Sequence, residues 1–529
     1  MDIKKTLQVQ IQGTVEDDAA RLQSCANDAS IFEIKPEFVV TPKDMRDLRA
    51  IVNFVRYQKS SGNNLSLTPR AAGTGMSGES LSESIVLDMA HFNHIKEVGN
   101  NFAITEPNVY YRDFEAEVAK KGLLLPSYTA SKKICTVGGM VANNSAGEKT
   151  LSYGPTARYV ERLKVVLRDG NEYTLEALSH AKLEEKKKLQ DLEGDLYRRM
   201  YTILEENYDL IQKSRPHVNK NAAGYALWDV WDRTTFDLTK LFTGSQGTLG
   251  IITEINFHLI KPKPYSELLV IFLKDLTPLG DVVNRVLPHK PESFEAYDDH
   301  TLALAQQFLP EITESFGDKI TSKIVLLAEF TGDSEEEVLA KAAEAKKEVG
   351  VFEGAVTTTI TRDRSDAERY WTIRRESFSL LRTHGGHERT APIIEDIIVR
   401  PEYLPSFLPR LYEILDSYGF SYTIAGHIGD GNLHIMPRLD FREEGTPTVA
   451  LELVTRVLDL VFEFKGSMSA EHNDGIIRTP FLERMYGRDI IALFEEAKKI
   501  FDPDNIFNPG KKVFGKDITF IKEYIDKVY

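Results

Sequence analysis

The stretch AGHIGDGNLHIMP at 425–437 sets His427 and His434 on either side of Gly-Asp-Gly-Asn. Positions seven apart share a helix face, but Gly429 and Gly431 would each cost about 1 kcal/mol inside a helix. A hairpin fits better, with Gly429–Asn432 as the turn, Ile428 opposite Leu433 and His427 opposite His434. Opposed side chains have Cβ atoms roughly 4.5–5.5 Å apart. Two imidazoles that close can converge on one metal ion, or hydrogen-bond as a pair inside a sheet. Glycine-rich segments offer a second chemistry. RAAGTGMSGES carries G-x-G-x-x-G at Gly73, Gly75 and Gly78, where backbone N–H groups can approach a phosphate. Thr74 and Ser77 add hydroxyl donors, though a plain β-turn would show the same glycines. CTVGGMVANNSAGE supplies Gly138, Gly139, Ala142, Asn143, Asn144, Ala146 and Gly147. Small residues there allow close contact with a planar or phosphorylated ligand, and the amides both donate and accept. A third segment, TGSQGTLG, precedes a strand starting at Ile251. Three such loops in one domain fit a large, extended cofactor better than three coincidental turns.

The elements that must position these residues read as mixed α/β through about residue 262. PEFVVTP and NLSLTP are short strands around the helical pattern DMRDLRAIVNFVRYQ, with Asp44 near its start. A dinucleotide-binding βαβ unit would need a helix opening at the first glycine loop. IVLDMA, another strand, follows too soon to leave room for one. ERLKVVLRDGNEYTLEA is a hairpin turning at Asp169-Gly170, and GIITEINFHLI puts Ile251, Thr253, Ile255, Phe257 and Leu259 on one face. LSHAKLEEKKKLQDLEGDL reads as a charged, solvated helix. KPKPYSE marks an exposed boundary. A second α+β unit follows, with strands ELLVIFL and KIVLLAEF and the acidic helix SEEEVLAKAAEAKKEV. From about Thr448 the chain is mostly helical and ends in the turn DPDNIFNPGKK.

Bulk composition narrows the class. A chain of 529 residues, 42% hydrophobic and 27% charged, buries a large core and divides into domains. A net charge of −15 argues against a nucleic-acid partner. No apolar run approaches the roughly 20 residues of a membrane span, and the N-terminus lacks a signal-type apolar core. The expectation is a cytoplasmic protein, compatible with a homodimer. Two cysteines, Cys25 and Cys135, cannot ligate a four-iron cluster.

PRAAGTGMSG, CTVGGMVANNSAG, GSQGTLGIITE, GHIGDGNLH, SAEH and NIFNPGK occur in the order found in FAD-linked oxidases of the vanillyl-alcohol-oxidase (PCMH-type) fold. From roughly Asp28 to Lys512 the chain most resembles the D-lactate, D-2-hydroxyglutarate and glycolate dehydrogenase group. The resemblance implies an α+β fold: a PCMH-type FAD-binding domain over 1–262, made of two α/β subdomains (about 1–95 and 96–262) that grip FAD between them. It further implies an α+β substrate or cap domain over 263–447 and a helical C-terminal segment, 448–529, returning to the FAD domain. By position, Arg70, Ala71, Gly73, Thr74, Gly75, Met76 and Ser77 would hold the FAD pyrophosphate. Thr136, Gly138, Gly139, Asn143, Ala146 and Gly147 would line the cofactor, Ile252 would lie near its adenosine or ribityl part, and Asn508 would approach from the C-terminal turn. Gln246 departs from the GSEG of many relatives and offers an amide instead of a carboxylate. The first loop has no histidine for a covalent flavin bond, and Cys135 reads as a buried thiol, so the FAD is expected to be non-covalent. Larger relatives carry an iron–sulfur region that two cysteines exclude, so electrons would leave to an external quinone, cytochrome or flavoprotein.

In the same resemblance His427, His434 and Glu471 bind a divalent metal and His472 is the catalytic base. Two imidazoles and a carboxylate form a known catalytic zinc set with open positions, and the Irving–Williams order favours zinc over manganese or iron(II). Neighbours in an extended strand point to opposite sides, so Glu471 and His472 require a kink, which Gly475 permits. The implied reaction is oxidation of a D-2-hydroxy acid to the 2-keto acid: the metal acidifies the hydroxyl, His472 takes its proton, and hydride passes to flavin N5. YWTIRRES matches the family's W-x-x-R and points to Arg374 as the clamp for the substrate carboxylate, with Arg375 second. An Arg-Arg pair read alone suits a solvated helix face. PIIEDIIVRP carries Ile394 where 2-hydroxyglutarate-specific relatives place a lysine, which favours a smaller or more apolar acid such as D-lactate. HGGHE at 384–388 would be a loop over the pocket. The alternatives are D-2-hydroxyglutarate or glycolate oxidation, a non-redox flavin transferase of the alkyl-dihydroxyacetonephosphate synthase type, a catalytically silent flavin-binding partner, and a metal-dependent hydrolase without flavin.

Overall fold

Three sheets carry the chain in the computed structural model, which describes all residues except 1, 315, 317–320, 385–388, 391, 441–442, 444 and 529. The loop expected at HGGHE therefore falls largely outside the described residues. The first sheet runs in the order Thr14–Glu16, Phe38–Thr41, Ile85–Asp88, Leu67–Arg70, with its last three strands parallel. Helix Met45–Ser60 makes one crossover; Asp44 caps it by accepting from the Arg46 and Asp47 N–H groups, and Leu48, Ile51, Val52 and Val55 form its buried stripe. No helix lies between Arg70 and Ile85, so the first glycine loop is not a Rossmann turn.

The second sheet is antiparallel: Ile95–Val98, Phe102–Thr105, Ile251–His258, Val160–Val166, Glu172–Ser179, Thr235–Asp237. The expected hairpin turns at Gly170, where φ is +76°. Ile251, Thr253, Ile255 and Phe257 are buried as their alternation requires, but a register shift between Ile252 and Glu254 also turns Glu254 inward. It pairs there with Lys96 and Lys164. The charged segment at 178–196 is not one solvated helix. It divides into His180–Lys188 and Leu192–Glu206, the second capped by Asp191 and buried along Leu196, Tyr197, Met200 and Leu204. The sequence window ended before that apolar stripe came into view.

The third sheet, also antiparallel, runs Val356–Ile360, Tyr265–Leu273, Ile324–Gly332, Ser293–Asp298, Tyr422–Gly426, Asn432–Leu439, Arg389–Thr390. ELLVIFL is a continuous apolar run because both of its faces are covered. Leu269, Ile271 and Leu273 join the main core with Val282 and Ala342, whereas Leu268, Val270 and Phe272 pack with Tyr370, Trp371 and Ile373.

The C-terminal turn returns to the first sheet, where Leu67 N–H donates to Ile506 O at 2.7 Å and Asn508 N–H to Leu67 O at 2.8 Å. Lys498 fastens this turn. Its buried ammonium donates to Thr248 O (2.6 Å), Asp502 Oδ2 (2.5 Å) and Phe507 O (2.7 Å), although burial holds its pKa below the usual lysine value. Replacing Lys498 by Met leaves the buried Asp502 carboxylate without its cation, which costs about 3–5 kcal/mol. Urea denaturation of Lys498→Met should show that loss, and a change within experimental error would show that the tie is not needed.

Candidate active site

The two histidines meet, but not across the expected pairing. Ala425, not His427, stands opposite His434, and Ile424 faces Ile435. His427 lies past the strand end (φ −89°, ψ 74°), before the turn Ile428–Asp430. Gly426 (φ +152°) and Gly431 (φ +75°) bend the chain on either side. A Cβ on Gly431 would fall 1.9 Å from Val399 O, so this turn is pinned against the backbone just past the strand Ile397–Ile398. The bend brings the rings to a centroid distance of 5.3 Å at 84°.

Glu471 Oε1 lies 3.0 Å from His427 Nε2 and 3.4 Å from His434 Nε2. The opposite ring nitrogens are both engaged: His427 Nδ1 donates to Glu295 Oε1 at 2.6 Å and His434 Nδ1 to Glu395 O at 2.9 Å. With Nδ1 occupied in this way, Nε2 is the ring nitrogen that each histidine turns toward Glu471, as outer partners arrange around metal-binding histidines. This donor set fits a divalent ion. Burial disfavours ionisation of Glu471, but His427 and Lys220 hold its carboxyl well below the usual range. Burial opposes charge on His434 as well, yet Glu395 and Glu471 push it up to about 10. The cluster thus favours positive charge at this point.

His472 faces the same centre. Its ring stacks on His434 at 5.1 Å, its Nε2 is 3.7 Å from Glu471 Oε1, and its Nδ1 bonds the Glu395 carboxylate. Arg478 holds the other oxygen of Glu395. Burial works against the His472 imidazolium, but Glu395 and Asp396 raise its pKa overall. The kink required between Glu471 and His472 comes from Asp396, whose Oδ2 accepts both of their N–H groups, at 2.9 and 2.7 Å. Asn473 (φ +66°) and Gly475 (φ +51°) complete the bend. Arg374 Nη2 pairs with Glu295 Oε2 at 2.9 Å. Sequence reasoning missed Lys220, Glu295, Glu395, Asp396 and Arg478. The readable signal was an acidic residue inside an apolar run, as in PIIEDII and SFEAY, because a buried carboxylate demands partners.

One cavity of about 670 Å³ joins this centre to the glycine segments. It has the size of a small-molecule or cofactor site. Of the expected cofactor residues, all but Ser77, Gly147 and Asn508 line it. Ser77 donates instead to Glu79 and to His472 O. Gly147 passes so close to Tyr128 that a Cβ would meet its carbonyl oxygen at 2.0 Å. Asn508 ties Thr68, Glu79 O and Gln246 O together. These three act behind the wall. Arg70 lies on the wall, but its guanidinium donates to Cys25 O, Asn27 O and Ser80. The second glycine segment is a helix, Val137–Asn143, not a loop, because Val137, Met140 and Val141 bury at helical spacing. Gly138 is required there, since a Cβ would lie 2.4 Å from Pro107 Cβ. Thr136 Oγ1, at the head of this helix and on the cavity wall, is buried without a hydrogen-bond partner. Such an orphan fits a polar cofactor. Cys135 is buried and free, and burial pushes its thiol pKa up, which suits an unreactive group.

Residues 36–176 match the FAD binding domain family and residues 263–512 match the C-terminal domain of FAD linked oxidases. The chain belongs to the FAD-linked oxidases. This oxidase is 28% identical to a D-2-hydroxyglutarate dehydrogenase of Pseudomonas putida over 94% of its own length. It spans about half the length of that relative and of the similar enzymes of Escherichia coli and Pantoea ananatis. It is 27% identical to a glycolate oxidase subunit of Bacillus subtilis, covering 98% of itself and 97% of that protein. The fold matches the solved structure of p-cresol methylhydroxylase with substrate bound, at a TM-score of 0.68 and 15% identity over 98% of this chain and 97% of that one. The architecture is therefore the mixed α/β PCMH-type fold with a C-terminal oxidase domain. Among the described residues, no helix of this FAD-linked oxidase is long and apolar enough to cross a membrane.

Beside Arg374, the second arginine of the pair is fully engaged. Arg375 Nε and Nη2 grip Glu148 at 3.1 and 2.8 Å, and its Nη1 reaches Glu368 at 3.1 Å. Burial alone would raise the Glu148 carboxyl, but Arg375 and Tyr128 hold it down at about 2 against an ordinary 4.5. A depressed folded-state pKa stabilises fully above the unfolded value and loses that contribution as pH falls through the folded one. Unfolding measured from pH 6 down to pH 2 should therefore show a steeper loss of stability below pH 4.5 in wild type than in Glu148→Gln. Parallel curves would refute this.

Proposed function

We propose that this FAD-linked oxidase is a dehydrogenase of D-2-hydroxy acids, with D-lactate as its substrate and an external electron acceptor. The observation that supports it most is the single cavity carrying the glycine segments, Arg374 and the His427–His434–Glu471–His472 cluster together. Bound non-covalently there, FAD supplies a two-electron acceptor for the α-hydrogen, and a divalent ion, zinc by ligand preference, supplies a positive centre for the hydroxyl oxygen.

The chain's own residues do the rest. With Nδ1–H committed to Glu395, His472 presents a basic Nε2 to the substrate hydroxyl and takes its proton. Glu395, braced by Arg478, stabilises the imidazolium that results. Arg374 brings a cation to the wall for the substrate carboxylate, while Glu295 orients both Arg374 and His427. The relatives' names specify D-2-hydroxyglutarate and glycolate, which share the 2-hydroxy acid group. Two features favour a small or apolar monocarboxylate: Met436 follows His434 on the same hairpin face with Thr423 opposite, and Arg375 is committed to Glu148. Ile394, which the sequence suggested would face the substrate, is packed into the core and does not line the cavity.

Mixing the yellow protein with D-lactate in the absence of oxygen should bleach the flavin, faster than with D-2-hydroxyglutarate or glycolate. A chelator should block the bleaching. His472→Ala should slow it by about 10²–10⁴-fold while retaining flavin. A protein that stays yellow with every D-2-hydroxy acid offered would end this reading and favour the transferase alternative.

A further inference from the structure

Lys220 is a buried cation at the centre, in direct contact with Glu471, that no motif announced. Its side chain is 0% exposed, and its Nζ lies 2.5 Å from Glu471 Oε2. We infer that Lys220 is a positioning residue of the metal centre, restricting Glu471 to one donor oxygen and cancelling the charge of the ligand set so that affinity for the ion is exchanged for electrophilic strength. The inference rests on the metal-dependent dehydrogenase reading above.

The geometry separates the two oxygens of Glu471. Oε1 faces His427 Nε2 and His434 Nε2, at 3.0 and 3.4 Å, whereas Oε2 belongs to the lysine. An oxygen held by an ammonium is a poor second ligand, so the carboxylate binds one-armed. The lysine is also fixed in place. Ala222 N–H donates to Ser469 O (3.0 Å), Ser467 Oγ to Asn221 Oδ1 (2.6 Å), and Asn219 Nδ2 to Asp430 Oδ1 (3.2 Å). Lys512 then clamps Ala222 O and Gly224 O. The strand of chain bearing Lys220 thus runs locked beside the one bearing Glu471.

Position alone does not call for a lysine. A glutamine amide could donate to Oε2, and burying an ammonium is expensive. What only the charge provides is repulsion of a divalent ion a few ångströms away, which weakens its binding. Lys220 cancels the charge of the one carboxylate in the ligand set, so a substrate oxygen would become the only uncompensated negative ligand of the ion. A lysine serving only as a strut would be replaceable by glutamine without consequence.

The experiment uses flavin-loaded, metal-stripped protein and zinc, with a chromophoric chelator in competition, alongside anaerobic flavin reduction by D-lactate at saturating zinc. Lys220→Gln should bind zinc at least tenfold more tightly yet reduce its flavin at least tenfold more slowly, and Lys220→Arg should return both values toward wild type. Unchanged or weakened zinc binding in Lys220→Gln overturns the inference. If that variant does not fold without metal, Lys220→Met purified with zinc gives the same answer: slower release of zinc to the chelator supports the inference, and equal or faster release overturns it. Wild-type protein that fails to bind one zinc would instead sink the metal-centre reading itself.

Discussion

The carboxylate of Asp396, wholly buried, is the constraint on which the centre depends. Its Oδ2 accepts the N–H groups of Glu471 and His472 and the hydroxyl of Ser469, and its Oδ1 accepts from Asn432 Nδ2 at 3.2 Å. Two successive backbone donors cannot converge on one oxygen in an extended strand, where they point to opposite sides. Their convergence curls the segment, and that curl puts a metal-type carboxylate and a base-type imidazole from adjacent residues into one cavity. Asn432 belongs to the histidine hairpin, so the same carboxylate also sets the distance between the two halves of the ligand set.

Gln246 plays the corresponding part on the side of the glycine segments. It sits at φ +53°, its Nε2 donates to Asn143 Oδ1 at 3.1 Å, and its Oε1 accepts from Gly475 N–H at 2.9 Å. Its backbone carbonyl accepts from Asn508 Nδ2 at 2.7 Å. One amide therefore ties the helix Val137–Asn143, the curled Glu471–Gly475 segment and the C-terminal turn. A glutamate there could accept from Gly475 but, ionised, could not donate to Asn143. The departure from the GSEG pattern thus has a local use. Gly475 is confined in turn, because a Cβ would fall 2.2 Å from Ser77 O. The glycine-rich cavity wall and the histidine cluster are one hydrogen-bonded object.

The clustered histidines and Glu471 are legible in sequence as candidate ligands because short motifs, the first of them glycine-rich, carry them, and glycine is needed wherever backbone must bend or approach closely. The fold is legible for the same reason, together with strand alternation. Pairing register is not. Gly426 and the turn at Ile428–Asp430 shift His427 out of the ladder, and nothing in GHIGDGNLH distinguishes that bend from a two-residue-longer hairpin. The carboxylates behind the histidines are hidden by distance along the chain: Glu295 lies 132 positions before His427. The helix Val137–Asn143 is masked by its paired glycines, which intrinsic propensity disfavours and which packing against Pro107 demands. Lys220, in NKNAAGY, has no pattern at all around it.

These omissions share a cause, since every missed residue is a buried charge whose meaning lies in its partner. Around Glu471 the structure gathers Glu295, Glu395, Asp396 and Asp430 against Lys220, Arg374 and Arg478, all of them buried. With neutral imidazoles the carboxylates outnumber the cations, an arrangement that a folded core tolerates only if further positive charge can enter. Without it the carboxylates draw the histidines toward their charged forms: burial opposes that charge, but Glu395 and Glu471 raise the pKa of His434, and Glu395 and Asp396 that of His472. A divalent ion held by His427, His434 and Glu471 would supply positive charge in competition with protons at these rings. The excess of buried carboxylates therefore does two things at once. It draws positive charge into the fold at this cluster, and it holds the three imidazoles where protons or a bound cation could carry that charge.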